Sequence, residues 1–492
     1  MSSPLNLLTD FSDKLSPMLV KELRQGMRAR SFTMLFLIFQ CLLALILLTA
    51  GATFSSDGAG IAASSIIFTM FCIAVLFIQP MRGVNALSSE ITGNTIEMMV
   101  LTRLSASRIV FGKWIAIVSQ SALILTTIVP YLILRYFFGG MVLLGEMVFL
   151  ALIFLTSMSL TAVMVGFSAT TARLARVLPI IGIILLAQAV PSFLFRGSSF
   201  GAGMSFFTLS DWESRIAIFF YVAFISYTGW CALSHGISAI APVAENHSTI
   251  RRLIAGALTF IAVGAGFITT IEPELLALIL AVILTPAFII ALSEPAIIFP
   301  PICKPFLKRG IFGRAAAAFL LPGWPTGVFY TALLAGVGLF GIGYALLPST
   351  RTHFNPETAI VCLSCLGGIL LPTLLSVLFT KDDSKRFTNF IIFFVASISL
   401  AVSAMIFTSV NNQEPMLWSL IWNPPVALFM LASSKFNNET LLMAVALVDS
   451  AVFLLLMGTA LKAYGNYQRI FKETEAEKSP EGSAEAITPS ET

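Results

Sequence analysis

The chain has 492 residues, of which 57% are apolar and 11% are charged, and its mean hydropathy is +0.92. Soluble proteins carry about 25% charged residues, so this composition excludes a large water-soluble domain and indicates a polytopic helical membrane protein embedded in a lipid bilayer. The net charge of +4 is small and its basic residues gather in short loops. That distribution is a membrane-orientation signal and not the basic patch of a nucleic-acid-binding protein.

The first 31 residues, 1–31, form a polar segment that we expect on the cytoplasmic side. Ser16 and Pro17 favour a helix start, because serine caps the first turn and proline fits the first helical position. An apolar stripe follows at Leu19, Val20, Leu23 and Met27. The charged residues around it are Lys21, Glu22, Arg24 and Arg28. This pattern predicts an amphipathic helix lying in the membrane interface.

Repeated apolar runs predict transmembrane helices, since about 20 residues cross the hydrocarbon core. The predicted spans are 32–50, 61–80, 114–134, 146–168, 177–195, 216–240, 253–270, 274–293, 326–347, 358–380, 387–410 and 440–462. The predicted fold is therefore an all-α polytopic integral membrane protein with about 12 transmembrane helices. The spans fall into two six-helix halves, 32–245 and 246–466, which repeat the layout of spans and loops without repeating the sequence.

Basic residues mark the loops that we expect to face the cytoplasm. Loops 21–30 and 82–113 and the pair Arg251 and Arg252 alternate with basic-poor loops such as 51–60. By the positive-inside rule, the N-terminus is cytoplasmic, and an even number of spans places the C-terminus on the same side.

Two stretches near the end of the chain are not counted as spans. Residues 417–433 are apolar, but Asn423-Pro424-Pro425 interrupts them, and a full crossing would leave the basic residues after the last span outside. We therefore expect a re-entrant or surface segment there. The tail, 467–492, is acidic and rich in small polar residues, so it is predicted to be disordered.

The longest polar interval of the first half is 90–113. Within it, Thr95 is placed to cap a short helix. Ile96, Met99 and Val100 would then share one helical face. An amphipathic helix at the membrane surface and a plain solvated loop both fit this pattern.

The same interval resembles the coupling region of type-2 ABC transporter permeases. The residues that match that family's pattern are Glu90, Asn94, Thr95, Ile96, Glu97, Leu101, Thr102, Leu104, Ser105, Ile109, Gly112 and Lys113. Arg103 stands where the family usually has proline. The string from Pro17 to Arg28 likewise resembles the elbow helix that opens this family's membrane domain.

The resemblance implies an exporter of the bacterial inner (plasma) membrane that is driven by a separate ATP-binding subunit, present in two copies. The residues implied to couple the two proteins are Glu90, Thr95, Ile96, Glu97, Met99, Val100, Gly112 and Lys113. The family's cargoes include lipids, polysaccharides, drugs and components for multi-copper-enzyme maturation. The exported substrate is therefore left open.

No sequence motif predicts chemistry on the chain itself. The phosphate-binding pattern GxxxxGK[ST] is absent, because Gly112-Lys113 lacks both the upstream glycine and the following Ser or Thr. We therefore expect no catalytic, cofactor-binding or metal-binding residues here. ATP and Mg²⁺ are expected on the partner ATPase.

Ionisable residues inside spans are the default functional candidates in a membrane protein. Two stand out, Asp449 in the last span and His235 in the sixth, and both are candidates for a path through the membrane. Two such residues are few for a proton- or ion-driven carrier, which favours an external energy source. A secondary transporter without an ATPase and a non-transporting membrane scaffold are the alternatives.

Overall fold

A computed structural model describes residues 17–52, 59–93, 105–136, 143–169, 207–242, 245–268, 272–345, 356–380, 382–411, 414–432 and 436–476. These residues are helical and contain no strand. Ten of the helices are long and apolar enough to cross a membrane. The protein is an all-α polytopic membrane protein. Its chain divides into two compact units, Met1–Ala241 and Pro242–Thr492, close to the predicted boundary at 245.

The first unit is built from helices and one π-helical stretch, Ile73–Ile78. Its described α-helices are α1 (Pro17–Met27), α2 (Arg30–Ala52), α3 (Ala59–Cys72), α4 (Gln79–Met81), α5 (Ser88–Thr92), α6 (Ala106–Tyr136), α7 (Leu143–Ser168) and α8 (Trp212–Ile240). The amphipathic helix predicted after Pro17 is present as α1, which packs mainly on α6. Helices α7 and α8 form the most extensive pair of this unit.

The second unit contains both spanning helices and shorter ones. Its described α-helices are α9 (Ser248–Ile268), α10 (Pro273–Ser293), α11 (Pro300–Leu307), α12 (Gly310–Leu320), α13 (Trp324–Ala345), α14 (Pro356–Phe379), α15 (Arg386–Asn411), α16 (Pro425–Ala432) and α17 (Asn438–Ala476). Two short 3₁₀-helices, Asp383–Lys385 and Glu414–Leu420, precede α15 and α16. Helices α14 and α17 form the most extensive pair, and α10 packs against α13.

Helix α2 shows why these apolar runs form membrane helices. Phe32, Phe39 and Leu43 recur at helical spacing and are buried against the rest of the unit. Leu45 and Leu48, which are equally apolar, are 58% and 73% exposed. A helix that is apolar on all sides needs an apolar environment on its outer face, and in this class of protein the hydrocarbon core of the bilayer supplies it.

The π-helical stretch interrupts the second predicted span. Helix α3, residues 73–78 and α4 form one continuous helix in place of the predicted 61–80. A π-turn widens the helix and changes the partner of each backbone carbonyl. The carbonyl of Val75 accepts a hydrogen bond of 2.7 Å from the Ser157 hydroxyl of α7, which ties the widened turn to its neighbour.

The other predicted spans compare well with the helices. All of them coincide with long helices to within a few residues at most ends, apart from 177–195, which lies outside the described residues. One larger difference is at α6, which begins at Ala106 instead of residue 114, so that residues 106–113 are part of the helix.

The prediction of a disordered tail from residue 467 was wrong for its first ten residues, because α17 is helical through Ala476. Tyr467 and Phe471 are buried, four residues apart on one helical face. Phe471 joins a small core with Ile302, Cys303 and Ala317. The first part of the predicted tail therefore has an apolar face that packs in the protein. Residues 477–492 lie outside the described part of the chain.

The apolar stretch 417–433 does not form a single long helix. The 3₁₀-helix Glu414–Leu420 and α16 contain 7 and 8 residues, far below the roughly 20 needed to cross the bilayer. Val426, Ala427 and Met430 are fully buried in a core shared with α14, α15 and α17. The broken form agrees with the predicted re-entrant or surface segment, with protein covering its irregular backbone.

Candidate functional site

Lys113 lies at the centre of a charge cluster in the first unit. Its ammonium nitrogen is 3.0 Å from Glu90 Oε1 and 3.3 Å from Glu22 Oε1. Glu22 belongs to α1, Glu90 to α5 and Lys113 to the second turn of α6. The three side chains are largely buried, with the lysine 8% exposed. One cation therefore connects three elements that are far apart in the sequence.

Helix α1 also packs closely against α6 near this cluster. Leu23 of α1 is buried, and Gly26 lies so close to the Gln120 side chain of α6 that a Cβ at position 26 would overlap it. Gln120 accepts a hydrogen bond from Arg82, whose guanidinium also lies 5.6 Å from the centre of the Phe32 ring. The close packing joins α1 to α6, and Arg82 connects Gln120 of α6 to Phe32 of α2.

The structure brings together part of the residues predicted for coupling. Glu90 and Lys113 meet directly, and Gly112 is buried beside them in α6. Of the predicted elbow residues, Glu22 joins the cluster, whereas Lys21, Arg24 and Arg28 are exposed. The remaining predicted coupling residues lie outside the described part of the chain: Thr95, Ile96, Glu97, Met99 and Val100.

The second unit has its own buried charge cluster, centred on Glu294. The two carboxylate oxygens of Glu294 lie 2.7 Å from Arg251 Nη2 and 2.8 Å from Arg252 Nη2. Ser248 and the backbone N–H of Gly323 also donate hydrogen bonds to this carboxylate. Burial by itself raises the pKa of Glu294, but both guanidinium groups and both hydrogen bonds lower it, and the net result is a pKa below the ordinary value.

Arg252 extends this cluster into the loop that joins α12 to α13. Its guanidinium donates hydrogen bonds to the carbonyls of Phe319, Leu321 and Gly323, at 2.6–3.0 Å. The last turn of α12 and the start of α13 are therefore fixed by a side chain of α9. Arg252 thus adds a charged donor to these carbonyls, and those of Leu321 and Gly323 also accept a hydrogen bond from the Thr326 hydroxyl.

The two clusters are built in a similar way, although their cations belong to different spans of the two halves. Each acidic residue, Glu90 or Glu294, follows the second predicted span of its half. Each is paired with a cation at the start of a spanning helix, Lys113 on α6 or Arg252 on α9. In both clusters the ion pairs fix the ends of helices relative to one another.

Sequence reasoning missed the Glu294 cluster. In the sequence, Arg251 and Arg252 indicated only the orientation of the chain in the membrane, and Glu294 was not among the predicted site residues. The available signal was the position of Glu294, a carboxylate that directly follows the 21-residue apolar helix α10. An acid at that boundary needs a cation. Its partners could not be read from sequence distance, because Lys308 and Arg309 are closer in the sequence than Arg251 and Arg252.

The two intramembrane candidates belong to different units. His235 of α8 lies 5.6 Å from the Phe167 ring of α7, where Gly166 and Gly236 allow the helices to touch. Asp449 of α17 is only 5% exposed and packs against Gly367 of α14. Among the described residues, neither carboxylate oxygen of Asp449 has a hydrogen-bond partner. Of the two, Asp449 is the side chain whose environment calls for a ligand.

Within the described ranges, no group of three or more His, Cys, Asp or Glu side chains is arranged to hold a metal ion. Comparison with known proteins gave no match to any family model, curated protein or solved structure. The functional conclusion therefore depends on the geometry above and on the resemblance of residues 17–28 and 90–113.

Proposed function

We propose that this chain is the membrane-spanning permease subunit of an ABC transporter, an exporter driven by a separate ATP-binding subunit. The observation that carries the proposal is the Lys113 cluster. It joins α1, which resembles the elbow helix, to both ends of the segment that resembles the coupling helix.

The cluster suits the transmission of movement. Glu90 precedes the segment 94–104 and Lys113 follows it, and Lys113 pairs with both Glu90 and Glu22 of α1. A displacement of the segment would therefore move α1 and α6 together instead of being absorbed by a loose loop. In this proposal the ATPase supplies that displacement, and the ATP and Mg²⁺ are bound by the ATPase alone.

The second unit offers its own docking surface on α12. Ile311 and Phe312 are 83% and 88% exposed at the start of this helix, beside the exposed basic residues Lys308 and Arg309. An exposed apolar pair ringed by charge is typical of a protein interaction site. In this proposal the pair contacts the second copy of the ATPase. Phe306, by contrast, packs into the core around Cys303 and is not part of the surface.

The proposed setting is the bacterial inner membrane with both termini in the cytoplasm. The basic residues of α11 and α12 and the pair Arg251 and Arg252 would then face the cytoplasmic side, as the positive-inside rule requires. Reporter fusions after Lys472 and after Asn437 provide the check: the first should report the cytoplasm and the second the outside. A cytoplasmic signal at both positions would contradict this topology.

The docking proposal is tested by purifying the tagged full-length chain from its native membrane and identifying co-purified ATP-binding subunits by mass spectrometry. Met99→Asp and Phe312→Asp should each lower recovery of that subunit about tenfold or more, because a charge placed in a central apolar contact costs roughly 2–5 kcal/mol. Lys385→Asp is the matched control, since Lys385 is 72% exposed and outside both surfaces. Equal recovery by all variants, or ATP hydrolysis by the chain alone, would overturn the proposal.

One observation favours a second candidate, a secondary transporter. It is the buried carboxylate of Asp449, because intramembrane acids commonly bind the driving ion of such carriers. Substrate movement into vesicles that contain only this chain and an ion gradient would select this candidate over the permease.

A further inference from the structure

The Asp449 carboxylate occupies a crossing point of three segments in the second unit. It lies midway along the membrane-crossing part of α17 and packs against Gly367 of α14 and near Pro424. A Cβ at position 367 would overlap both Asp449 Oδ1 and the Pro424 ring. The absence of a side chain at Gly367 is thus what admits the carboxylate to this position.

Two further oxygen atoms belong to residues of α14 within one helical turn of Gly367. Ser364 precedes Gly367 by three residues, so its hydroxyl shares the same helical face, and it is 1% exposed with no hydrogen-bond partner among the described residues. Pro372 lies inside this helix four residues after Gly368. Because proline has no N–H, it donates no hydrogen bond to the carbonyl of Gly368. The site therefore offers a carboxylate, a hydroxyl and a backbone carbonyl.

The broken segment before α16 completes the surroundings. Asn423 is fully buried and donates a 2.8 Å hydrogen bond to the carbonyl of Ser397 on α15, while the Ser397 hydroxyl donates back to Asn423. This reciprocal pair holds the turn that carries Pro424 to α15. Asp449 is consequently enclosed by fixed elements. No basic side chain in the described ranges forms an ion pair with it.

We propose that Asp449 is the charged ligand of a binding site for one alkali-metal cation, with Ser364 and the Gly368 carbonyl as further ligands. An ionised carboxylate buried without a partner is costly, and a bound cation removes that cost. One carboxylate balances one positive charge, which selects a monovalent ion. Carboxylate, hydroxyl and carbonyl oxygens are hard ligands, suited to Na⁺ or K⁺ and not to soft metals. Broken helices at mid-membrane depth form such sites in transporters.

The test uses the purified full-length chain in detergent, without any ATPase. Its thermal unfolding is measured in NaCl, KCl and choline chloride at equal ionic strength. Na⁺ or K⁺ should raise the unfolding temperature in a saturable manner relative to choline, because a ligand that binds only the folded state stabilises it. Asp449→Asn should abolish the increase, and Ser364→Ala should weaken the apparent affinity about tenfold. Glu439→Gln, an exposed acid at the start of the same helix, should behave as wild type.

A second measurement uses only wild-type protein, so its result does not depend on whether the variants fold. A carbodiimide modifies buried carboxyl groups, so wild-type protein is treated with it and the modified residue is mapped by mass spectrometry. The alkali cation, but not choline, should protect Asp449 from modification. Equal modification in all three salts, or an unfolding temperature that does not depend on the cation, would overturn the proposal. Neither readout involves the ATPase, so failure here is distinct from failure of the permease proposal.

Discussion

Glu294 forms ion pairs with two buried guanidinium groups in the second unit. Glu294→Gln would remove the carboxylate that both Arg251 and Arg252 contact, and breaking a buried pair in this way costs about 3–5 kcal/mol. We therefore expect a large fall in the unfolding temperature in detergent. Glu473→Gln, at an exposed position, is the control and should change little. A Glu294→Gln variant as stable as the control would show that the cluster is dispensable.

The same residue predicts a pH dependence. The pKa of Glu294 is lower in the folded protein than its ordinary value of about 4.3. Its contribution to stability is therefore complete above that ordinary value and is lost as the pH falls through the lower, folded-state pKa. The difference in unfolding temperature between wild type and Glu294→Gln should narrow as the pH is lowered through this range. A constant difference would contradict the assigned cause of the shift.

Two glycines with positive φ allow the energetic cost of backbone strain to be distinguished from the cost of steric overlap. Gly323 has φ +114° and would bring a Cβ onto the Tyr467 hydroxyl, whereas Gly310 has φ +65° and open space around it. Gly310→Ala should cost only the left-handed penalty of about 1–2 kcal/mol. Gly323→Ala should cost more, because it also displaces Tyr467 and the backbone that contacts Glu294 and Arg252. Equal losses in thermal stability would contradict the role of Tyr467.

For single residues, the sequence predicted which side chains are unusual better than it predicted which residues they contact. Asp449 was recognised as unusual, because a carboxylate inside a long apolar run is visible without a structure. The pairing of Glu22 with Lys113 was not predictable, since 91 positions separate the two residues and only packing brings them together. Phe306 and Phe312 look alike in the sequence, yet one is in a core and the other is exposed.

Among the elements, the π-helical stretch depends on a neighbouring helix. Ser157 of α7 donates to the Val75 carbonyl inside the stretch, and the hydroxyl is fully buried. Ser157→Ala should destabilise the protein by about 1–3 kcal/mol, because it removes the donor from a buried carbonyl. Ser119→Ala is the matched control, since the Ser119 hydroxyl bonds only to Ala116 of its own helix. The unfolding temperatures of both variants are compared in detergent. Equal values would contradict the proposed role of the Ser157 hydrogen bond.

Helix ends were the least predictable feature of the elements. An apolar run shows where a helix lies in the bilayer, but it carries no information on how far the helix continues into water. Helix α6 starts before its apolar run because Ala106 and Ile109 pack in a core with Leu87. Helix α17 continues past its run because Phe471 packs with Ile302. Both extensions result from tertiary contacts that periodicity in a single segment does not reveal.

At the scale of the whole molecule, the division into two compact units predicts that the chain tolerates a break between them. Co-expressed fragments 1–242 and 243–492 should each insert into the membrane and resist protease as folded bodies. A break at residue 381 is the control, because it separates α14 from α17, its most extensive partner. That control should yield protease-sensitive fragments. Similar protease resistance after both breaks, or sensitivity after both, would contradict the assignment of units.

The general architecture was the most predictable property of the molecule. Membrane helices satisfy their own backbone hydrogen bonds and need apolar side chains on all lipid-facing positions, so each leaves a run that is visible in the sequence. Residues 417–433 were separable from the true spans because Pro424 and Pro425 interrupt them. What the pattern does not contain is the set of contacts between helices, such as Asp449 against Gly367.

Helix α17 has a mechanical consequence. Its 39 residues extend about 58 Å at 1.5 Å per residue, roughly twice the thickness of the hydrocarbon core. A tilt of about 10° around Asp449, which lies about 40 Å before Ala476, would therefore displace the far end by about 7 Å, more than one helical pitch. Phe471 lies in this far part and packs on α11, and Tyr467 there donates a hydrogen bond to the Pro322 carbonyl. A small change in the tilt of the helix around Asp449 would thus produce a larger displacement at α11 and at the turn that begins α13.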